Sequence, residues 1–202
     1  QFATSGRKER LVANVYTGKE HYKDGVYNEE SPMSKYEYTQ SWLQISYELE
    51  RYSQLSSQFT LGQYIHSYYS SRNFSQNYTA TMMQAGKFAP TAHSKISYNE
   101  AFRANQFIGA GLIPIFKLNS VVQARAEVYG FMPIFPIMKD EGNKAYYGKT
   151  FSKVEYMGQI SLVIKLPFGA VSAYVNHYSS PTKNWNAGLT LGWQLFNSRF
   201  IE

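Results

Sequence analysis

The stretch that decides the fold is Asn184-Trp-Asn-Ala-Gly-Leu-Thr-Leu-Gly-Trp-Gln-Leu195. From Trp185 onward its odd-numbered positions are all apolar, whereas its even-numbered positions are Asn, Gly, Thr, Gly and Gln. Successive side chains of a β-strand point to opposite faces of the sheet. The pattern therefore predicts a strand with one apolar and one polar face, and the chain ends soon afterwards with the aromatic residue Phe200 near its terminus.

Composition narrows the class of protein. The chain has 202 residues and no Cys, which excludes a disulfide framework and zinc–thiolate sites. No apolar run reaches the roughly 18 residues of a transmembrane helix, but a membrane-spanning strand needs only alternate apolar residues. The net charge of +6 is spread along the sequence. Without a basic cluster, we expect no nucleic-acid partner.

Similar alternation recurs through the whole chain and predicts an all-β protein. Leu43, Ile45, Tyr47 and Leu49 share one face, for example. Nine strands are predicted, at 9–18, 37–51, 56–70, 78–88, 105–118, 120–137, 150–167, 169–179 and 184–197. Several of them are long enough for a tilted membrane span of about 9–11 residues. Short connectors alternate with longer polar ones at 20–36, 71–77 and 139–149, as in outer-membrane barrels.

The polar faces indicate what these strands enclose. Arg125, Glu127 and Glu155 would point into the interior, and a sandwich core could not bury these charges without a large desolvation cost. A hydrated barrel lumen can hold them. The alternative is a sheet with its polar face in bulk water, but its apolar face would then need a covering layer, and no amphipathic helix is evident. The sequence therefore predicts an antiparallel transmembrane β-barrel, with aromatic clusters such as Tyr64–Tyr69 and Phe131–Phe135 as interfacial girdles.

No arrangement of residues indicates chemistry. The four His residues lack metal-ligand spacing, and neither a nucleophile elbow nor a phosphate-binding loop is present. His177 and Ser179 share a strand face, but about 6–7 Å separates their Cβ atoms, which is long for a base and a nucleophile. We expect no catalytic residue, no metal ligand and no cofactor in this chain.

The central stretch from Phe88 to Gly111 combines a non-repetitive loop with Gly109 and Gly111 on one face of the next strand. The two glycines would leave room for another element to pack against the wall. One interpretation is a loop that folds inward, with Arg103 meeting Glu127 or Glu155. The other is an ordinary surface loop with a solvated arginine.

Three runs carry a resemblance to a known family: AFRANQFIGAG (101–111), ARAEVYGFMPI (124–134) and residues 166–202. They resemble the C-terminal barrel of patatin-like phospholipases from Bacteroidetes, which is similar to the bacterial surface antigen family of outer-membrane assembly factors and two-partner secretion transporters. In that superfamily a loop with an Arg-Gly-aromatic motif folds into the barrel, and five strands follow it. The resemblance makes Arg103 and Phe107 the lumenal-loop candidates, with Ala104 in place of the glycine.

The resemblance implies that residues 1–202 form an outer-membrane β-barrel domain, the C-terminal half of a 16-stranded barrel. Residues 1–79 would supply N-terminal strands, 80–104 the lumenal loop and 105–202 five C-terminal strands. The implied function is to anchor or translocate an upstream patatin-like hydrolase domain in the bacterial outer membrane, with membrane lipid and the upstream hydrolase and periplasmic domains as partners. The chain itself would perform no chemistry. Two alternatives stay open: a stand-alone barrel of eight or ten strands with a structural or adhesion role, and a soluble β-sandwich binding module.

Overall fold

An eight-stranded antiparallel sheet forms most of the protein, as the all-β prediction requires. The computed structural model describes residues 5–22, 25–26, 32–33, 36–167, 169–179 and 184–193. Every strand of the sheet pairs with its neighbours in sequence. The strands are β1 (Gly6–Tyr22), β2 (Tyr36–Gln54), β3 (Phe59–Ser70), β4 (Gln106–Lys117), β5 (Val122–Pro133), β6 (Glu155–Leu166), β7 (Gly169–Tyr178) and β8 (Trp185–Trp193). Within the described residues, β1 and β8 form the two edges of the sheet.

Connections at the two ends of the sheet differ in length. At one end the connections are short: residues 55–58 join β2 to β3, residues 118–121 join β4 to β5, and two residues separate β6 from β7. At the other end residues 71–105 join β3 to β4 and residues 134–154 join β5 to β6. Only six residues separate β7 from β8 at this second end, so the predicted asymmetry holds for the other connections but not for that one. We call the two ends the short-turn end and the long-loop end. Most of the predicted 20–36 loop, the strand extension 194–197 and Phe200 lie outside the described residues.

Large apolar side chains project from the exposed face of the sheet, which we call the open face. Ile160 is 70% exposed and Leu189 is 79% exposed. Other exposed apolar residues of this face are Leu11, Val15, Ile45, Ile65, Ile108, Leu112, Phe116, Val128, Leu162, Ile164, Val175 and Leu191. The opposite face, which we call the covered face, buries polar side chains, with Gln123 only 1% exposed. The alternation thus predicted correctly which side chains share a face.

One of the nine predicted strands is wrong. Residues 78–88 form the helix α1 (Tyr78–Gln84) followed by the two-residue strand Gly86–Lys87. The Asn77 side chain caps α1 by accepting a hydrogen bond from the Ala80 amide at 2.8 Å. Thr81, Met82 and Ala85 are buried whereas Met83 is exposed, so burial follows the spacing of one helix face rather than alternation. The five strands predicted after Arg103 are present as β4 to β8.

Smaller elements complete the chain. The segment between β3 and β4 also contains α2 (Ala92–Ile96) and a 3-10 turn at Glu100–Phe102. Among the described residues, three two-stranded ladders lie outside the main sheet. They pair Gly25–Val26 with Pro32–Met33, Gly86–Lys87 with Arg103–Ala104, and Ile137–Lys139 with Ala145–Tyr147. The last of these is a hairpin within the 134–154 connection, and its Ile137 packs against Met82 of α1.

Substituting Gly109 tests the close packing of the covered face. A Cβ atom at this position would collide with the Phe88 ring, so we expect Gly109→Ala to destabilise the fold by about 1–3 kcal/mol, the usual cost of overpacking. Gly130→Ala is the matched control, because a Cβ atom added there would meet no other atom within 4 Å. Chemical denaturation of both variants measures the difference. Equal stability of the two variants would contradict the packing described here.

Candidate functional site

The covered face is occupied at its long-loop end by residues 71–105, which we call the 71–105 segment. Phe88 is its central contact, 1% exposed and stacked on Phe131 of β5 with ring centroids 5.6 Å apart. The same ring fills the space that Gly109 leaves on β4. Gly111 makes similar room for the ring of Tyr129. The sequence prediction that these two glycines leave space on one face is confirmed.

An aromatic cluster fixes the segment to the sheet. Phe102 of the segment packs on Phe131 and on Tyr178 of β7, each at 5.7 Å between ring centroids. Phe107, one of the two lumenal-loop candidates, is 1% exposed in this cluster. The other buried members are Tyr64, Phe88, Ala101, Ala104, Ile113, Ile115, Tyr129 and Met157. Tyr64 and Phe131 therefore belong to the core, and the prediction that they form an exposed girdle is wrong.

Arg103 does not meet the carboxylates expected for it. Its Nη1 donates to the carbonyl oxygens of Met82, Met83 and Ala85 at 2.9–3.0 Å, at the C-terminal end of α1. The guanidinium also lies over the Tyr98 ring, 5.0 Å from its centroid. A helix leaves its last carbonyls without partners, and a cation is favourable there. Arg103 thus holds the segment in shape from within.

The second half of the segment is anchored through α2. Thr91 and Ser94 form a capping box at its N-terminus, and both side chains are buried. His93 Nδ1 lies 2.8 Å from the Tyr178 hydroxyl on β7. Burial lowers the pKa of His93, which favours the neutral imidazole, and one nitrogen of that form can accept a hydrogen bond. This bond ties α2 directly to the sheet.

Arg125 and Glu127 form a buried ion pair on β5. Arg125 is 4% exposed, and its Nε lies 3.5 Å from Glu127 Oε1. Tyr129 donates a hydrogen bond to the other Glu127 oxygen at 2.7 Å, and the Arg125 guanidinium lies over the Tyr52 ring. The structure places both side chains on the covered face, as the alternation predicts. Partners of the pair include Tyr129 on the same strand and Tyr52 on β2.

Glu155 lies at the long-loop end of β6. It pairs with Lys153 at 3.1 Å between Nζ and Oε1, and its other oxygen accepts a hydrogen bond from the Ser179 hydroxyl. Ser179 also accepts from the Tyr156 amide. His177, in contrast, stacks on Tyr156 and contacts the Trp185 ring at 4.7 Å on the open face. Ser179 and His177 therefore form no base–nucleophile pair.

Below the 71–105 segment, towards the short-turn end, the covered face is polar. Gln159 of β6 stands directly opposite Glu127 of β5 and Asn176 of β7. Several buried side-chain atoms here have no hydrogen-bond partner: both amide atoms of Gln123 and of Asn176, Gln159 Oε1 and Ser161 Oγ. Buried polar groups in proteins are almost always paired with protein or with ordered water. This surface is therefore chemically suited to hold water or a polar chain.

Sequence reasoning found the polar residues but not how the segment is built. Alternation identified Arg125, Glu127 and Glu155 because strand parity needs no tertiary information. The Phe88–Gly109 contact joins residues 21 positions apart in sequence. The only sequence signal for this contact was the pair Gly109 and Gly111, which indicated free space on one face of β4. The Arg103 contacts depend on α1, for which the alternation predicts a strand. The capping residue Asn77 was the available signal for that helix.

Within the described residues, no group of His, Asp and Glu side chains could hold a metal ion. No helix in that part of the chain is long and apolar enough to cross a membrane. No protein-family model matches the chain, and no curated protein matches it either. Any function must therefore be argued from the geometry of the sheet and the 71–105 segment.

Replacing Arg103 tests whether its hydrogen bonds to the end of α1 stabilise the 71–105 segment. Arg103→Met removes three hydrogen bonds from a charged donor to the end of α1, and we expect a loss of about 2 kcal/mol that takes the form of local opening of the segment. Hydrogen exchange should accelerate in α1 and remain unchanged in β5 and β6. Lys95→Met, which removes an exposed cation of the same segment, is the control. An unchanged rate of hydrogen exchange in α1 would show that the Arg103 hydrogen bonds contribute little to the stability of the segment.

Proposed function

We propose that this chain is an outer-membrane β-barrel domain that anchors or translocates an upstream patatin-like lipid acyl hydrolase domain in a bacterium. The observation that carries the proposal is the distribution of side chains over the two faces of the sheet. Apolar residues cover the open face while charged and amide side chains are buried on the other. This is the reverse of a soluble sheet and is expected where hydrocarbon surrounds the protein.

The apolar surface runs continuously across strands. One hydrogen-bonded row joins Phe116, Ala124, Leu162, Ala173 and Leu189, one residue from each of β4 to β8. Soluble monomers rarely expose a contiguous apolar patch of more than a few hundred Å². A sandwich module would cover this face with a second layer, and no such layer lies on it in the described residues. The pattern supports lipid contact.

The register supports tilted strands. A single row runs from Arg7 and Arg51 at the short-turn end of β1 and β2 to His177 and Trp185 at the long-loop end of β7 and β8. Seven strand spacings of about 4.8 Å make this row about 34 Å long. Such a row crosses an apolar band about 25 Å tall when the strands tilt by about 45°. Strands of outer-membrane barrels tilt by about 35–45°.

The size of the 71–105 segment favours a barrel of more than eight strands. An eight-stranded barrel has an interior just wide enough for its own side chains. Here the covered face carries Phe88, the helix α2 and the 3-10 turn in addition to those side chains. Closure of β1 onto β8 would leave no volume for them. This argument supports the 16-stranded barrel that the resemblance implies over the stand-alone small barrel.

Arginine substitutions test the lipid-facing assignment. Leu162→Arg or Leu189→Arg should cost about 2–4 kcal/mol if these side chains lie near the bilayer midplane. Thr190→Arg is the matched control, because Thr190 is adjacent to Leu189 but faces the other side of the sheet. Reversible folding into liposomes measures all three. Equal tolerance at positions 189 and 190 would overturn the membrane assignment.

A second test concerns catalysis by the chain itself. We expect no hydrolysis of a p-nitrophenyl acyl ester by the purified 202-residue chain, because Ser179 is bound to Glu155 and the His177 ring packs against Trp185 instead. The comparison is the full-length gene product, which should hydrolyse the ester if an upstream hydrolase domain is present. Activity of the 202-residue chain that Ser179→Ala or His177→Ala abolishes would contradict the proposal.

A further inference from the structure

Two arginines stand directly opposite each other on the open face. Arg7 of β1 and Arg51 of β2 are register partners, so their Cβ atoms are about 4.5–5.5 Å apart. Arg7 lies on the same side of β1 as Leu11, and Arg51 on the same side of β2 as Ile45. Both side chains are exposed. Like charges in this position destabilise a sheet unless an anion compensates them.

The charge of this pair is only partly neutralised within the protein. Arg7 Nη2 lies 2.6 Å from Glu9 Oε2, and the other Glu9 oxygen accepts a hydrogen bond from Tyr47. Glu9 therefore holds the Arg7 side chain in place and balances one positive charge. Arg51 has no hydrogen bond or ion pair with any described residue. The cluster keeps a net charge of about +1, located on Arg51.

A third donor extends the row. Gln63 of β3 is the register partner of Arg51, is exposed and lies on the same face. Two guanidinium groups and an amide thus stand side by side across three adjacent strands. Planar guanidinium groups bind phosphate oxygens in pairs of hydrogen bonds. The apolar surface begins one residue pair further along the strands, at Leu49 and Ile65.

We propose that Arg7, Arg51 and Gln63 bind the phosphate of an anionic glycerophospholipid at the short-turn margin of the sheet. The inference rests on the proposed membrane function, since it takes the open face as the lipid-facing one. The acyl chains would lie along Leu49 and Ile65, and the phosphate would occupy the row of donors. Short turns of outer-membrane barrels are periplasmic, so the site belongs to the inner leaflet.

Native mass spectrometry of the full-length gene product with phosphatidylglycerol tests the site. Arg7→Gln combined with Arg51→Gln should lower phosphatidylglycerol retention at least tenfold relative to the unmodified protein. Lys8→Gln combined with Arg10→Gln is the matched control, because it removes the same charge from the same end of β1 but from the other face. Arg7→Lys combined with Arg51→Lys keeps the charge without the paired hydrogen bonds and should give intermediate retention.

Insertion is measured in parallel, by heat-modifiable gel migration of each variant in phosphatidylglycerol vesicles. If all variants insert and the Arg7/Arg51 variant retains the lipid as well as the unmodified protein, the phosphate site is wrong and the barrel function stands. Equal loss in the Lys8/Arg10 control would also overturn the site, because total charge would then explain the binding. Failure of the unmodified protein to insert would overturn the barrel function and the site together.

Discussion

The structure depends on burying charge and amide groups on one face of a sheet whose other face is apolar and exposed. Removing a charge from water costs several kcal/mol unless it is paired. On the covered face Arg125 is compensated by Glu127, and Glu127 is further bound by Tyr129. Because strand parity is fixed, the sequence neighbours of these polar residues lie on the open face, and most of them are apolar. The exposed apolar surface of Ile160, Leu162 and their counterparts and the buried polar network are thus the two faces of one alternating pattern.

The backbone of β4 determines how closely the 71–105 segment packs against the sheet. A glycine at position 109 lets the Phe88 ring approach the sheet where any Cβ atom would block it. Gly86 likewise leaves space for the Tyr68 ring of β3. Phe102 and His93 contact β5 and β7. Arg103 then closes the segment on itself through the carbonyls of α1. The segment is consequently a folded unit with its own internal bonds, which is why no strand carboxylate is needed to hold it.

The sequence predicts features that depend on the local alternation of apolar and polar residues. It fails where tertiary contacts determine the conformation. Strand parity places Arg125, Glu127 and Glu155 on one face and finds the last five strands, because alternation is a local property. It wrongly predicts a strand at residues 78–88, although Asn77 is a good helix cap. A strand there would also put 71–77 and 89–104 at opposite ends of the sheet, against the asymmetry of loop lengths. The position of Tyr64 and Phe131 in the alternation alone would have placed them on the buried face, where they lie. Their aromatic character led to the wrong prediction of an interfacial girdle.

The arrangement of the covered face also bears on the choice between anchoring and translocation. Passage of a polypeptide along this face would require the 71–105 segment to dissociate from the sheet. That movement would break the Phe88 contacts, the stacking of Phe102 and the bond between His93 and Tyr178 together. Interlocked contacts of this kind open cooperatively rather than one at a time. The polar surface near Asn176 could accommodate water, but the aromatic contacts of the segment oppose passage along this face, so within the proposed membrane function they support the anchoring role over translocation.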